Sequence, residues 1–509
     1  MKINYIYSFV LLSLLTLFSS CSDFLNEEDP NSTASGNYLK TENDVSKALA
    51  GVYLAIRHND CLGESSTLYT EERSDNTGRN DNQSNAGEPF QFNDFSLLPS
   101  NSYLKKHYVA LYDAVSRANY LLTYIDQAKI ENADNKKKYI AEAKFLRALV
   151  YFQLVRKWGD VPLATTYFET YQDVKKNTYR EKQELVYAQI IADLTDALDS
   201  KLPNIQNEAG KGHTSKAAIN GLLGQVYLTM ATRFESNKQE NLQNANKYLS
   251  DCYTMRTFGL LKEIPYGDVF DVKKKSTCPE IIFQIVYKQG DKDYSSSIAA
   301  NSQAEGETIN SQKKTKGGGT FVKPDLVKEY EEADVRKSFS VKYADNANAK
   351  SWFITKFRDT SDAAGTLGHG GNDWILMRYA DVILMLAEVN MYLGNEAQAT
   401  SYLNEVRERA GIPTYQEMQN DALYKSKYPT LKLAILHERR VELAFENQRW
   451  FDLLRFFNSD ELVQYFRAKS QDDYGVSSLA NFGKKDYYYP IPFDEWKLDP
   501  EKMWQNEGY

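Results

Sequence analysis

Cysteine, histidine and basic runs are all scarce in this chain, and each scarcity removes a class of chemistry. The 509 residues hold four cysteines, Cys21, Cys61, Cys252 and Cys278. None belongs to a C-x-x-C pair, which argues against a zinc or redox motif. Beyond Cys21 the remaining three cannot all pair, so a disulfide framework is not the basis of stability. The five histidines, His58, His107, His213, His369 and His437, show neither H-x-x-x-H nor H-E-x-x-H spacing. No G-x-S-x-G nucleophile elbow occurs. In Lys316-Gly317-Gly318-Gly319-Thr320 the lysine precedes the glycines, so the run is a flexible loop tip and not a P-loop. The net charge is −8 and no long basic run occurs, which excludes nucleic acid as a partner, since phosphate neutralisation needs clustered Lys and Arg.

Aromatic residues are abundant instead: 36 Tyr, 24 Phe and 6 Trp. Most such rings pack cores, but Tyr and Trp also offer a flat apolar face with a polar edge, the surface on which a sugar ring stacks. Hydrophobic residues at 42% and charged residues at 26% suit a globular protein with a real core.

The first thirty residues read as a leader. Lys2 precedes an apolar run from Ile3 to Phe18, too short to span a bilayer comfortably and suited to a signal-peptide h-region. Ser19-Ser20-Cys21 resembles the lipobox of bacterial lipoproteins, with Phe18 in place of the usual aliphatic residue. Cleavage before Cys21 and acylation there would anchor the chain through several acyl groups, leaving residues 21–509 as a single domain after a 1–20 signal peptide.

The body reads as mainly α. Amphipathic helices are expected over 43–57, 108–128, 136–157, 180–198, 376–392, 396–410 and 430–456. Two segments share a pattern: Leu223-Gly224 with Ala245, Leu249 and Cys252, and Leu386-Ala387 with Ala399, Leu403 and Val406. Both resemble tetratricopeptide helix hairpins, the first with about nine extra residues near Ser236–Gln243 in its turn. Glu280–Tyr287 is β-branched and aromatic and reads as a strand. Two loop-rich regions, 58–105 and 288–375, interrupt the helices, and long loops of this kind carry function. Asn80-Asp81-Asn82-Gln83-Ser84-Asn85 offers oxygen ligands for a structural calcium but lacks an EF-hand pattern, so a polar loop is the better reading and no cofactor is expected.

The order of several segments is similar to that of the SusD/RagB family of outer-membrane nutrient-binding lipoproteins. They are Leu111 to Asn119, Glu142 to Ala148 running on to Trp158-Gly159-Asp160-Val161-Pro162, Arg378 to Glu388, and Leu403 to Gly411. Glu438 to Leu453, Tyr489-Pro490-Ile491-Pro492 and the closing Gln505-Asn506 and Gly508-Tyr509 complete the series. The resemblance spans the mature chain. It implies a tetratricopeptide-like helical scaffold under an irregular ligand-binding half, held at the cell surface on the outer membrane. It also implies a TonB-dependent, SusC-like channel as partner, an oligosaccharide or in some members a peptide as ligand, and no chemistry on that ligand.

The residues support that reading on their own terms. Arg378, Asp381, Glu388, Glu438, Arg439, Glu442, Arg449 and Asp452 alternate with apolar positions, which suggests buried ion pairs between helices. Glu438 and Glu442 share one helix face, whereas glycosidase carboxylates must flank a bond across a cleft, so a hydrolase is disfavoured. Candidate ligand contacts are Tyr69, Asp75, Asn76 and Tyr103 in the first loop-rich region, with Tyr294 and Trp352 in the second. Trp352 leads, as a large ring between polar segments. Trp374 directly precedes an apolar helix and is assigned to packing. Peptide cargo, a hydrolase and a protein-binding adaptor are the alternatives.

Overall fold

The computed structural model describes residues 39–509 apart from 80–86, 305, 310–311, 314–319, 348, 368 and 475–480. The leader, Cys21 and the oxygen-rich 80–85 run therefore lie outside the described residues.

Helices dominate. Those that frame the molecule are α1 (Glu42–Arg57), α2 (Ser102–Tyr124), α3 (Ala133–Trp158), α4 (Gln183–Leu198), α5 (Lys216–Arg233) and α6 (Lys238–Thr254). They continue as α7 (Tyr379–Tyr392), α8 (Glu396–Ala410), α9 (Leu431–Glu442), α10 (Arg449–Phe456) and α11 (Ser459–Arg467). Local chemistry sets several starts. The Thr41 side chain accepts from Asp44 N while the Asp44 carboxylate accepts from Thr41 N, a capping box opening α1. Asn101, Asn132 and Ser215 cap α2, α3 and α5 through side-chain oxygens.

Both expected hairpins are present. Along α5 and α6, Gly221 faces Cys252 and Gly224 faces Leu249, an antiparallel register. A Cβ at Gly224 would stand 2.4 Å from Leu249 Cγ and 3.1 Å from its backbone nitrogen, so only glycine permits this approach. The extra residues near Ser236–Gln243 do not lengthen the turn. From Lys238 they form the first turns of α6. α7 and α8 form the second hairpin, and α7 also packs on α6 and α9.

Two helix expectations are corrected. Residues 374–378 are a strand, paired antiparallel with Ile281–Ile285, so α7 starts only at Tyr379. The 430–456 helix is broken at Leu443–Gln448, where Phe445 and Asn447 take φ of 70° and 61°. Tertiary partners take over the groups a continuous helix would use. Glu442 O accepts from Arg378 Nη2 at 2.8 Å, Ala444 O from Lys356 Nζ at 2.9 Å, and Phe445 N donates to Glu71 Oε1 at 2.9 Å. These charged hydrogen bonds outweigh the helical periodicity of the sequence.

The strands are short and paired in antiparallel twos; the longer pairs are β1 (Thr77–Arg79) with β3 (Thr320–Val322), β2 (Ile281–Ile285) with β6 (Trp374–Arg378), and β4 (Val341–Asp345) with β5 (Lys350–Ile354). One apolar core runs from Leu39 to Met503 and includes Trp158 and Trp374. Cys61, Cys252 and Cys278 are buried and unpaired. Among the described residues no helix is long and apolar enough to cross a membrane.

Candidate functional site

The two loop-rich regions, distant in sequence, come together in space. β1 of the first pairs with β3 of the second, and β5 lies beside β3. The buried Glu64 carboxylate accepts from Ser297 N at 2.6 Å, Ile298 N at 3.3 Å and the hydroxyls of Ser296 and Ser297. Lys323 Nζ donates to Ser74 O at 2.8 Å. A charged group that replaces backbone partners in this way fixes an irregular chain where no sheet or helix can.

On this half the β4–β5 hairpin carries the sequence candidate Trp352 beside a second solvent-reaching ring, Tyr343. Tyr343 and Trp352 are directly opposed across the two strands, edge to face with centroids 5.4 Å apart and planes at 65°. Tyr343 is 45% exposed, and Trp352 is half-buried with part of its ring on the core. Lys342, Asp345 and Lys350 are exposed around them. The two rings present apolar surface with hydrogen-bonding groups at its rim. Tyr294 is 48% exposed, and the Arg57 guanidinium stands 4.4 Å over its ring. Tyr103 is half-buried on the first turn of α2, under the Lys106 ammonium at 4.8 Å.

The other three candidates belong to the scaffold. Tyr69 is buried, stacked on His107 at 4.1 Å with its hydroxyl donating to Asp60. Asp75 has no exposed surface. It accepts from Arg449 Nε at 2.7 Å and Nη2 at 2.9 Å, and Arg440 lies at 3.2 Å. Burial pushes its carboxyl up, but Arg440 and Arg449 reverse this and hold it well below the usual range. Asn76 donates to Glu71 at 2.8 Å and accepts from Arg440 at 2.9 Å. Side chains that are buried and already bonded cannot meet a surface ligand. These three assignments are corrected: turn-forming composition does not ensure exposure, since Asp75 and Asn76 are pinned inward by the Arg440 and Arg449 guanidiniums and Tyr69 by His107 and Asp60.

The alternating charges of the C-terminal half do form a buried network. Arg378 meets Glu280 at 2.7 Å, Glu442 at 2.6 Å and Glu446 at 2.7 Å. Arg336 meets Asp334, Glu438 and Glu442; Arg439 meets Asp381 and Asp452; Arg455 meets Glu388 and Asp452. Glu438 and Glu442 are sealed from solvent, so neither reaches a substrate. Glu331, His437 and Glu438 converge closely enough to hold a metal ion. However, Arg407 lies 2.7 Å from Glu331 and 3.1 Å from Glu438, and Arg336 lies 2.6 Å from Glu438. Two guanidiniums occupy the positions a cation would need.

Sequence reading missed two features. Tyr343 could have been found, because two β-type runs flank Asn346–Ala349 and place Tyr343 opposite Trp352. The second is an open cleft of about 590 Å3 between α9 and α11. Tyr428, Phe457 and Tyr465 line it, with ammonium groups of Lys427, Lys432 and Lys469 over those three rings at 5.1, 5.8 and 4.7 Å. It joins residues 427–469, which carry no loop-like composition.

Comparison with known proteins agrees with this architecture. The model of the SusD family matches residues 340–509, and a model described as "Starch-binding associating with outer membrane" matches residues 23–228. A SusD-like protein, P2, of Formosa agariphila is 26% identical over 99% of both chains. A SusD-like protein of Bacteroides ovatus is 25% identical over 90% of this chain and 84% of its own. Among solved structures, a laminarin binding SusD-like protein superposes with a TM-score of 0.72 at 23% identity, covering 92% of this chain and all of its own (100%). B. fragilis NanU superposes with a TM-score of 0.75 at 22% identity, over 94% of this chain and 99% of its own. These two likenesses concern the fold.

Proposed function

The chain belongs to the SusD/RagB family, and on that premise we propose that it is a lipid-anchored, non-catalytic receptor for glycan oligosaccharides on the outer membrane, which hands its ligand to a TonB-dependent, SusC-like channel. The observation that carries the ligand class is the opposed Tyr343–Trp352 pair, presented by a short hairpin among exposed polar side chains. A relative whose name records laminarin binding shares the fold, which supports a carbohydrate reading. The absence of chemistry on the ligand is part of this proposal, and the sealing of Glu438 and Glu442 supports it. That acidic pair, which shares one helix face, is held by the Arg336 and Arg378 guanidiniums inside the molecule.

Peptide cargo is the second reading, and the α9–α11 cleft favours it. Its aromatic walls, the Lys432 ammonium and the Glu461 carboxylate would suit a short chain with charged ends. Calorimetric titration with oligosaccharides separates the two. Tyr343→Ala and Trp352→Ala should each weaken oligosaccharide binding at least tenfold, while Lys432→Glu leaves it unchanged. Binding of peptides that Lys432→Glu abolishes, with no saccharide affinity, would replace the glycan reading.

A further inference from the structure

Inside the molecule, α3 and the break between α9 and α10 enclose a cavity of about 50 Å3. A water needs roughly 10–15 Å3 on this measure, so there is room for a few waters or for one ion with part of its hydration. Its walls differ from the rest of the core. Arg156 is only 4% exposed, with its guanidinium sandwiched between the Phe152 ring at 3.9 Å and the Phe451 ring at 3.6 Å. Its Nε donates to Phe152 O within its own helix, at 3.2 Å. No carboxylate among the described residues lies within salt-bridge distance of it; burial, with Arg233 and Arg455, disfavours its charge, and Asp381 favours it only from farther off.

The next residue repeats the anomaly. Lys157 is 2% exposed and its Nζ lies 2.7 Å from His107 Nε2. His107 Nδ1 lies 2.6 Å from the Asp60 carbonyl, which can only accept, so the ring proton is on Nδ1 and Nε2 accepts from Lys157. The ammonium keeps further N–H groups and has no carboxylate partner among the described residues. Burial and the Arg156 charge push the Lys157 pKa well down. Glu446 also lines the cavity, but both its oxygens are taken, by Lys356 at 2.6 Å and by Arg378 at 2.7 Å. Gln225, 8% exposed, also lines the cavity, and its side-chain amide has no hydrogen-bond partner among the described residues.

Elsewhere the buried arginines of the ion-pair network meet carboxylates directly. A buried cation without a counter-charge is costly, by several kcal/mol in effective terms. The Arg156 guanidinium, pushed down only to about 9, stays charged beside this polar cavity, while Lys157, pushed toward its neutral form, adds N–H donors there. We propose that this cavity is a binding site for one small monovalent inorganic anion of chloride size, held by the Arg156 guanidinium with Lys157 and the Gln225 amide. The anion neutralises the positive field behind the α9–α10 break and stabilises the fold.

The direct test uses the mature protein crystallised with sodium bromide. An anomalous bromide peak beside Arg156 is expected. In solution, the thermal midpoint should rise by roughly 1–3 °C as chloride replaces gluconate at fixed ionic strength, and should saturate, as for a ligand that binds only the native state. Arg156→Met should abolish that dependence, and Lys157→Met serves if the first variant does not fold. A cavity without bromide, or a chloride effect that persists in Arg156→Met, overturns the proposal.

Discussion

Tyr343 and Trp352 show how much a single position decides. Both rings sit on one hairpin, but Tyr343 has nearly half its surface free, whereas Trp352 also packs on the core. Tyr343→Ala should therefore leave the melting temperature within about 1 °C of wild type, because surface truncations cost little. Trp352→Ala should lower it measurably as well as weaken binding; thermal scans of both variants check this. Glu71 gives a second residue-scale prediction. Burial pushes its carboxyl up to about 7, against hydrogen bonds from Asn76 and the Phe445 amide. The native state thus keeps a proton that the unfolded chain releases near 4.5. Its contribution is present below that pH and is lost as pH rises through 7, by roughly 3 kcal/mol at most. In urea titrations, wild type should lose more stability than Glu71→Gln between pH 5 and pH 8; parallel losses would contradict the assignment. Tyr69, Asp75 and Asn76 mark the limit of composition as a guide. Asp75 and Asn76 lie in a polar, turn-rich segment that reads as a loop, and nothing local reveals that Arg440 and Arg449, more than 360 positions away, draw them into the core, while Tyr69 is buried against His107.

At the scale of elements, the helices and their hairpins were legible because periodicity and small residues are local signals. Gly224 is the clearest case, since glycine within a helix costs about 1 kcal/mol relative to alanine unless something requires it. Gly224→Ala should destabilise the protein by about 1–3 kcal/mol, as α5 and α6 are forced apart. Denaturant unfolding measures this, and a neutral or stabilised variant would mean the hairpin has slack. The break at Leu443–Gln448 was not legible. Its sequence, Leu-Ala-Phe-Glu-Asn-Gln, continues the helical pattern, and the break arises from Lys356, Arg378 and Glu71 capturing its backbone. The β4–β5 hairpin lay between these extremes. Its strands have β-type composition, but in sequence Trp352 is a lone ring, because the cross-strand partner depends on register.

Over the whole molecule, the helical scaffold and the irregular half follow from the order of motifs, and the family match agrees. What the scaffold motifs could not specify is the ligand surface, because they describe helix packing and ion pairing. The buried network ties the two halves through Arg378, Glu280 and Glu442, so the surface that carries Tyr343 rests on a rigid base. The anchor belongs to this scale as well. On the proposed lipid anchoring, Cys21→Ser removes the acylation site and should move the protein from the membrane fraction to the soluble fraction. Retention in the membrane would assign that attachment to another part of the chain.

The central claim is that the protein recognises a glycan and leaves it intact. Native affinity electrophoresis of the mature protein through gels containing a panel of purified polysaccharides tests it most directly. The account predicts retardation by at least one polysaccharide, reduced in Tyr343→Ala, with no reducing ends released on incubation. Uniform mobility across the panel, or cleavage of the polysaccharide that retards it, would contradict it.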